Sequence, residues 1–204
     1  MAGIAEIQQA TITPTKSELA NKWLGSYREL GSYRFVDPQN EVGIEVLVGY
    51  DLDDRLVQLP VSYRSEELDP AHTLATMEHS VLGTRYVSNA LGDPVAVREF
   101  IRTIVEADTG AQRSDGKPAA LEIQGSGISD EVTLGEVVLQ EVTRQRAVGE
   151  VEIDFQPHRF VLRVPHLLVP VGNPGTGHQI SRLRITGKKD ERELLVAELS
   201  WLDG

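Results

Sequence analysis

The stretch from Glu41 to Ile104 constrains this chain most: an alternating strand pair closing on Leu59-Pro60, a polar connector, then ALGDPVAVREFIRTIV opening a helix. Ile44, Val46 and Val48 alternate with Gly43, Glu45 and Leu47. Successive strand residues point to opposite faces, so one face belongs on a core and the other is partly covered. Val42–Tyr50 and Leu56–Arg64 read as the two strands, and Asp51-Leu52-Asp53-Asp54-Arg55 joins them as a hairpin connection. Asp93 is placed to cap the helix, with Pro94 at its first position, where the missing N–H costs nothing. Val97, Phe100, Ile101, Ile104 and Val105 form its apolar stripe. Nothing in this half-protein has the look of a catalytic apparatus.

On the N-terminal side, residues 1–14 read as a loosely held arm with a short strand at Ala10–Thr13. Thr15 and Glu18 make a capping-box pair ahead of a helix that puts Leu19, Trp23 and Leu24 on one face and ends at Gly25 or Gly31. Tyr33–Val36 is a short strand stopped by the turn Asp37-Pro38-Gln39-Asn40. Glu66–His79 is polar and reads as irregular with short helical pieces, and Val81–Asn89 as a further strand.

Thr109–Pro118 has no apolar periodicity and collects Gly, Ser, Asp and Pro, the composition of a linker. Beyond it come six β-rich segments: Leu121–Ser126, Thr133–Thr143, Gly149–Phe155, Arg159–Val169, Gln179–Thr186 and Glu193–Leu202. Short turns between such segments suggest an antiparallel sheet that curls or closes. The expected class is therefore α+β. Residues 1–108 form one half with helices on a sheet, 109–117 a linker, and 118–204 an antiparallel β-rich half. Each half alone is small for a self-sufficient core, so the two are expected to pack together.

The formal charge of −11 decides several partners. An acidic field repels polyanions, which argues against nucleic acid and against anionic membrane surfaces. The absence of cysteine removes disulfides, thiolate nucleophiles and Cys-ligated metals. MAGIAEIQQATITP has no basic segment followed by an apolar core, and no apolar run approaches the ~20 residues of a membrane span. A soluble, cytoplasmic protein is expected, with oligomeric state left open.

His72, Glu78 and His79 lie in the polar connector and could converge on a metal, but they lack the His-Glu-x-x-His spacing, and surface residues on a loop account for them better. Arg144, Arg146, Arg182 and Arg184 make the most basic region. The members of each pair are two apart and share a strand face, where they could receive an anionic sugar phosphate or an acidic partner; salt bridges with nearby Glu residues are the plainer reading. Gly125-Ser126-Gly127 and Gly172-Asn173-Pro174-Gly175-Thr176-Gly177 lie between strands and read as hairpin or crossover loops rather than phosphate cradles. Asp51, Asp53 and Asp54 lack the Gly and distal Glu of an EF-hand. His158 and His166 flank an alternating strand and read as ordinary sheet residues. No Gly-x-Ser-x-Gly elbow is present. No cofactor, metal or catalytic residue is implied.

Trp23-Leu24, EVGIEVLVGYD, VQLPVSYRSEEL and SNALGDPVAVREFIRTIV recur in this order in a known family. Over roughly residues 10–106 the chain resembles the N-terminal cap domain of actinobacterial maltokinases, and the stand-alone cap-like proteins sometimes labelled 1,4-alpha-glucan branching. The resemblance implies a cystatin-like cap, a curved antiparallel sheet packed on helices, and a partner among proteins of maltose or α-glucan metabolism. It carries over no catalytic residue. Where the kinase-type cap has an aromatic, basic segment after its first Trp, this chain has Ser26-Tyr27-Arg28-Glu29-Leu30. Arg159–Val164 sits where a kinase would place the strand bearing its phosphate-binding lysine, with Arg163 closest to that position. Phosphoryl transfer also needs a phosphate cradle, a catalytic-loop acid and acidic metal ligands, which this sequence does not assemble. The expected function is a non-catalytic binding or regulatory protein. The alternative is a small-molecule carrier or sensor using the C-terminal β half as a cup.

Overall fold

Thr15 Oγ1 accepts the Glu18 N–H at 3.2 Å while Glu18 Oε2 accepts the Thr15 N–H at 2.7 Å, so the expected capping box opens the first helix, α1 (Lys16–Leu24). Gly25, at φ 87°, ends it. The computed structural model describes residues 3–128, 132–172 and 181–202. Around α1 the chain forms β1 (Ile4–Ala5), β2 (Ile12–Thr13), β3 (Arg28–Val36), β4 (Gly43–Tyr50), β5 (Leu56–Arg64), β6 (Thr73–His79) and β7 (Gly83–Asn89). A 3₁₀ turn at Ala90–Gly92 leads into α2 (Pro94–Val105), which starts as expected, with Asp93 accepting the Val95 N–H and Pro94 in its first turn. There follow β8 (Gln112–Arg113), β9 (Glu122–Gly125), β10 (Leu134–Val142), β11 (Arg146–Ile153), β12 (Gln156–Arg163), β13 (Val169–Pro170), β14 (Leu183–Lys189) and β15 (Arg192–Trp201).

The first sheet has the order β2-β6-β7-β5-β4-β3 and is antiparallel throughout. The second has the order β10-β11-β12-β15-β14-β9, with β13 also on β15, and is antiparallel too. Two short strands, β1 and β8, pair in parallel. The protein is mostly β, with two α-helices among the described residues.

One connector differs from expectation. Thr73–His79 is strand β6 rather than irregular chain. A register shift between Thr73 and Ala75 lets Leu74 and Met77, three residues apart, both reach the same core. That spacing imitates a helical turn and hides the period of two. The expected strand Arg159–Val169 is likewise interrupted: β12 stops at Arg163, and pairing resumes at β13.

The layers follow from α2. Ala96, Val97, Phe100, Ile101 and Ile104 are fully buried between two sets of side chains. Tyr33, Phe35, Ile44, Val46 and Val48 of the first sheet lie on one side, and Val137, Ala147, Val151, Phe160, Leu162 and Leu199 of the second sheet belong to the same core. The Phe35 and Phe100 rings meet edge to face at 4.8 Å. An isolated helix of this length is marginal in water, so its stability comes from this burial, about 1.5–3 kcal/mol per large apolar side chain. A second cluster, with Leu19, Ala20, Leu47, Leu59, Val61 and Met77, packs α1 on the opposite face of the first sheet. The order of layers is thus α1, first sheet, α2, second sheet.

The segment expected as a linker runs along the outer edge of β3. The Ala111 N–H donates to the Arg34 carbonyl at 2.8 Å, and the Ala120 N–H to the Ser32 carbonyl at 2.9 Å. Gly125-Ser126-Gly127 has a role beyond turn formation. A Cβ at Gly125 would collide with the Thr103 carbonyl, and one at Gly127 with the Val105 carbonyl. These glycines let β9 lie directly against the last turn of α2, where the Gly127 N–H caps the Ile104 carbonyl at 2.7 Å.

Candidate functional site

Alternation on β4 sends Ile44, Val46 and Val48 toward α2 and leaves Glu45 facing the α1 side, with its side chain fully buried. A lone carboxylate there would be costly, and the sequence supplies four partners. Lys16 Nζ, at the start of α1, lies 2.8 Å from Glu45, and Arg34 Nη2, its direct cross-strand neighbour on β3, lies 3.1 Å away. Ser32 Oγ donates at 2.6 Å and Tyr63 OH at 2.9 Å. Burial alone would raise the Glu45 pKa, but Arg34 and Lys16 outweigh it and hold the carboxyl down at about 2. Burial, reinforced by the Glu45 charge, pushes the Tyr63 phenol well above its ordinary value.

This network lines a cleft of about 820 Å³ bounded by the N-terminal arm, β6 and the segment after β5. Arg64, Arg85 and Arg113 join Lys16 and Arg34 in its lining, opposed by Glu6, Glu41, Glu45, Glu66 and Glu67. Two of these cations are fixed from behind. Arg64 makes a bidentate contact to Asp93, both bonds at 2.8 Å, and Arg113 one to Asp115, at 2.9 and 2.7 Å. The cleft is charge-balanced and polar. At neutral pH Glu45 stays ionised with donors on both oxygens, and Tyr63 stays protonated, so this arrangement holds and orients rather than exchanges protons.

His72, Glu78 and His79 are not brought together. His72 precedes β6 and packs against Gly92, whereas His79 ends the same strand. His79 Nδ1 accepts the Val81 and Leu82 N–H groups, and Glu78 accepts the Thr84 hydroxyl. Among the described residues no group of three or more His, Asp or Glu side chains could hold a metal ion. Asp51 caps its own hairpin, accepting the Asp53 and Arg55 N–H groups at 2.9 Å each. The His158 ring lies 5.6 Å from that of Trp201. His166 has a buried, unpartnered Nε2, and burial lowers its pKa. Residues 173–177 of the second Gly-rich piece lie outside the described residues.

The four arginines separate. Arg144 stacks over the Trp23 ring at 4.5 Å. Arg182 is exposed two residues before Arg184. Arg146 and Arg184 lie in a single cross-strand row: Arg146 opposite Arg163, Arg163 opposite Glu198, and Glu198 opposite Arg184. Sequence reasoning missed both this row and the Glu45 network. The available signal for the latter was a Glu inside the apolar run Ile44–Val48, a place where a carboxylate demands a cation.

With this geometry in place, comparison with known proteins is informative for the first sheet. Residues 19–93 match the family model described as the maltokinase N-terminal cap domain. The match runs from α1 to the cap of α2, so this part of the chain is maltokinase cap-like and contains Glu45, Tyr63 and Arg64. No curated protein matches the chain.

Proposed function

We infer that this protein is a non-catalytic binding or regulatory protein of maltose or α-glucan metabolism, acting in the cytoplasm beside an enzyme of that pathway. The observation that carries the reading is the cap match over residues 19–93, coinciding with a sheet whose cleft is built on a fixed ion network. The first sheet with α1 laid across one face is read as a cystatin-like cap. Arg163, nearest in sequence to a kinase lysine, points out from β12 beside Glu198 rather than into a phosphate cradle, which supports a role without phosphoryl transfer. No helix among the described residues is long and apolar enough to cross a membrane. The carrier alternative needs room against the inner face of the second sheet, and α2 packs on that face.

The test pairs binding with physiology. Immobilised full-length protein is presented with purified enzymes of α-glucan metabolism, and glycogen is measured in a deletion strain. Capture of one of these enzymes together with altered glycogen supports the reading; no capture and unchanged glycogen overturn it. Turnover of a sugar phosphate, nucleotide or oligosaccharide by the purified chain would overturn the non-catalytic part.

A further inference from the structure

β11 and β12 are joined by a tight turn, Asp154-Phe155, between the paired residues Ile153 and Gln156. Both turn residues have positive φ, 50° at Asp154 and 65° at Phe155. Hairpin turns of this hand favour glycine at the second position, because any Cβ there crowds the backbone. Here that position holds a phenylalanine whose side chain is left in solvent, with 76% of the residue exposed. The ring adds nothing to the core and its left-handed backbone works against folding, which marks the turn as shaped for something outside the molecule. Glu152 and Asp154 flank it, both exposed, and neither meets a cation among the described residues. This end of the second sheet is thus an apolar knob with an acidic collar.

The other end of the same sheet has a pocket of about 360 Å³. Leu56, Leu167, Pro170 and Leu194 give it apolar walls, and Arg55, Lys189 and Arg192 line it together with Asp54 and Asp190. Most of these charges are already matched: Arg55 with Asp51 and Asp53, Asp54 with Arg28, and Lys189 with Asp190. Arg192 is not. It stands opposite Lys189 across the β14–β15 turn and meets no carboxylate among the described residues. β15 starts at the pocket with Arg192 and ends with Trp201 opposite Phe160, near the knob. Its 10 residues, at about 3.3 Å each, hold the two features about 30 Å apart, so a molecule cannot fill its own pocket. We propose that Phe155 of one copy of this chain docks in this pocket of a second copy, bringing Glu152 and Asp154 beside Arg192. An aromatic anchor seated in an apolar pocket, with polar groups around it, supplies most of the affinity of a small interface. Knob and pocket are different patches, so the contact is heterologous and runs head to tail. Phe155 lies outside residues 19–93 and the contact needs only the purified chain, so its failure is distinguishable from failure of the glucan reading.

The experiment is analytical sedimentation of the full chain from micromolar to millimolar concentration. The parent should show a mean mass that rises with concentration, and Phe155→Gly should weaken this association by roughly tenfold or more, as removal of an anchor does. Phe155→Gly should also melt no lower than the parent, since glycine suits the left-handed turn position, and this keeps loss of contact distinct from loss of folding. On the pocket side, Leu167→Glu and Arg192→Glu, the latter at an exposed position, should weaken association too. Mixing decides the geometry. Phe155→Gly keeps the pocket and Leu167→Glu keeps the knob, so each alone should be monomeric while the two together form a one-to-one complex. Four outcomes overturn the proposal: a parent that stays monomeric throughout, association of Phe155→Gly equal to that of the parent, a mixture that stays monomeric, or undiminished association of both pocket variants. The last would assign the contact to two knobs meeting ring on ring.

Discussion

Gln58 on β5 donates through Nε2 to the main-chain carbonyl of Val196 on β15, at 2.9 Å and across 138 residues of sequence. The same amide donates to the Pro165 carbonyl at 2.8 Å, and its Oε1 accepts the Tyr33 hydroxyl at 2.8 Å. Gln58, Tyr33 and Val196 are buried, and the contact to Pro165 is half-buried. The backbone repeats the link: the Gln58 N–H donates to the His166 carbonyl at 2.7 Å, and the Leu168 N–H to the Leu56 carbonyl at 2.9 Å. Gln58 thus joins the cap-like sheet to the second sheet. Gln58→Leu keeps the volume but leaves one hydroxyl and two carbonyls unpaired, at roughly 1–3 kcal/mol for each buried group. A loss of about 3 kcal/mol or more is expected in urea denaturation. A variant within 1 kcal/mol of the parent would show that water takes over these contacts.

The shared core around α2 has a thermodynamic consequence. The chain has two tryptophans, Trp23 on α1 and Trp201 on β15, one reporting on each side of the molecule. Because Phe100, Ile101 and Ile104 serve both sheets, neither half retains its core when the other unfolds. Trp23→Phe and Trp201→Phe single-tryptophan variants should therefore give coincident transitions. Separate midpoints would mean that the segment 109–117 divides the chain into independently stable parts.

Legibility of the fold in the sequence followed the range of the interaction. Both helix starts were readable, because a Thr15–Glu18 box and an Asp93-Pro94 cap involve residues within four positions of one another. β6 was not, since a bulge between Thr73 and Ala75 replaces alternation by a helix-like spacing. The Glu45 network required knowing that Arg34 is its cross-strand neighbour and that α1 brings Lys16 over the same face. The row from Arg146 to Arg184 depends on the register of four strands. Pair spacing along the chain finds residues on one strand face but says nothing about which strand lies beside it.

Gly125 provides a sharp contrast between two kinds of glycine. A side chain there meets the Thr103 carbonyl, which is held inside α2 and cannot withdraw without opening the helix. Gly125→Ala should cost about 3 kcal/mol or more, as overpacking against fixed backbone does. Gly116, at φ 69°, has open space around its Cβ position, so Gly116→Ala carries only the left-handed penalty of about 1 kcal/mol. Thermal melts of the two variants check the order; equal losses would mean that β9 is free to slide away from α2.

Glu45 should impose its own pH dependence. Its carboxyl is held at about 2 in the folded protein against an ordinary value of 4.5, so the folded state favours the ionised form. That contribution is fully present above about pH 5 and is lost as pH falls through the folded value near 2. Glu45→Gln removes the charge and leaves Lys16 and Arg34 facing a neutral amide, an expected cost of roughly 3 kcal/mol at pH 7. Asp51 and Asp115 also have lowered pKa values from their partners, so the parent alone will lose stability in acid for several reasons. The difference between parent and variant isolates Glu45. Measured by guanidinium denaturation, it should hold constant from pH 8 to 5 and shrink steadily between pH 5 and 2. A difference that stays flat across that acid range would place the ionisation energy of this network elsewhere.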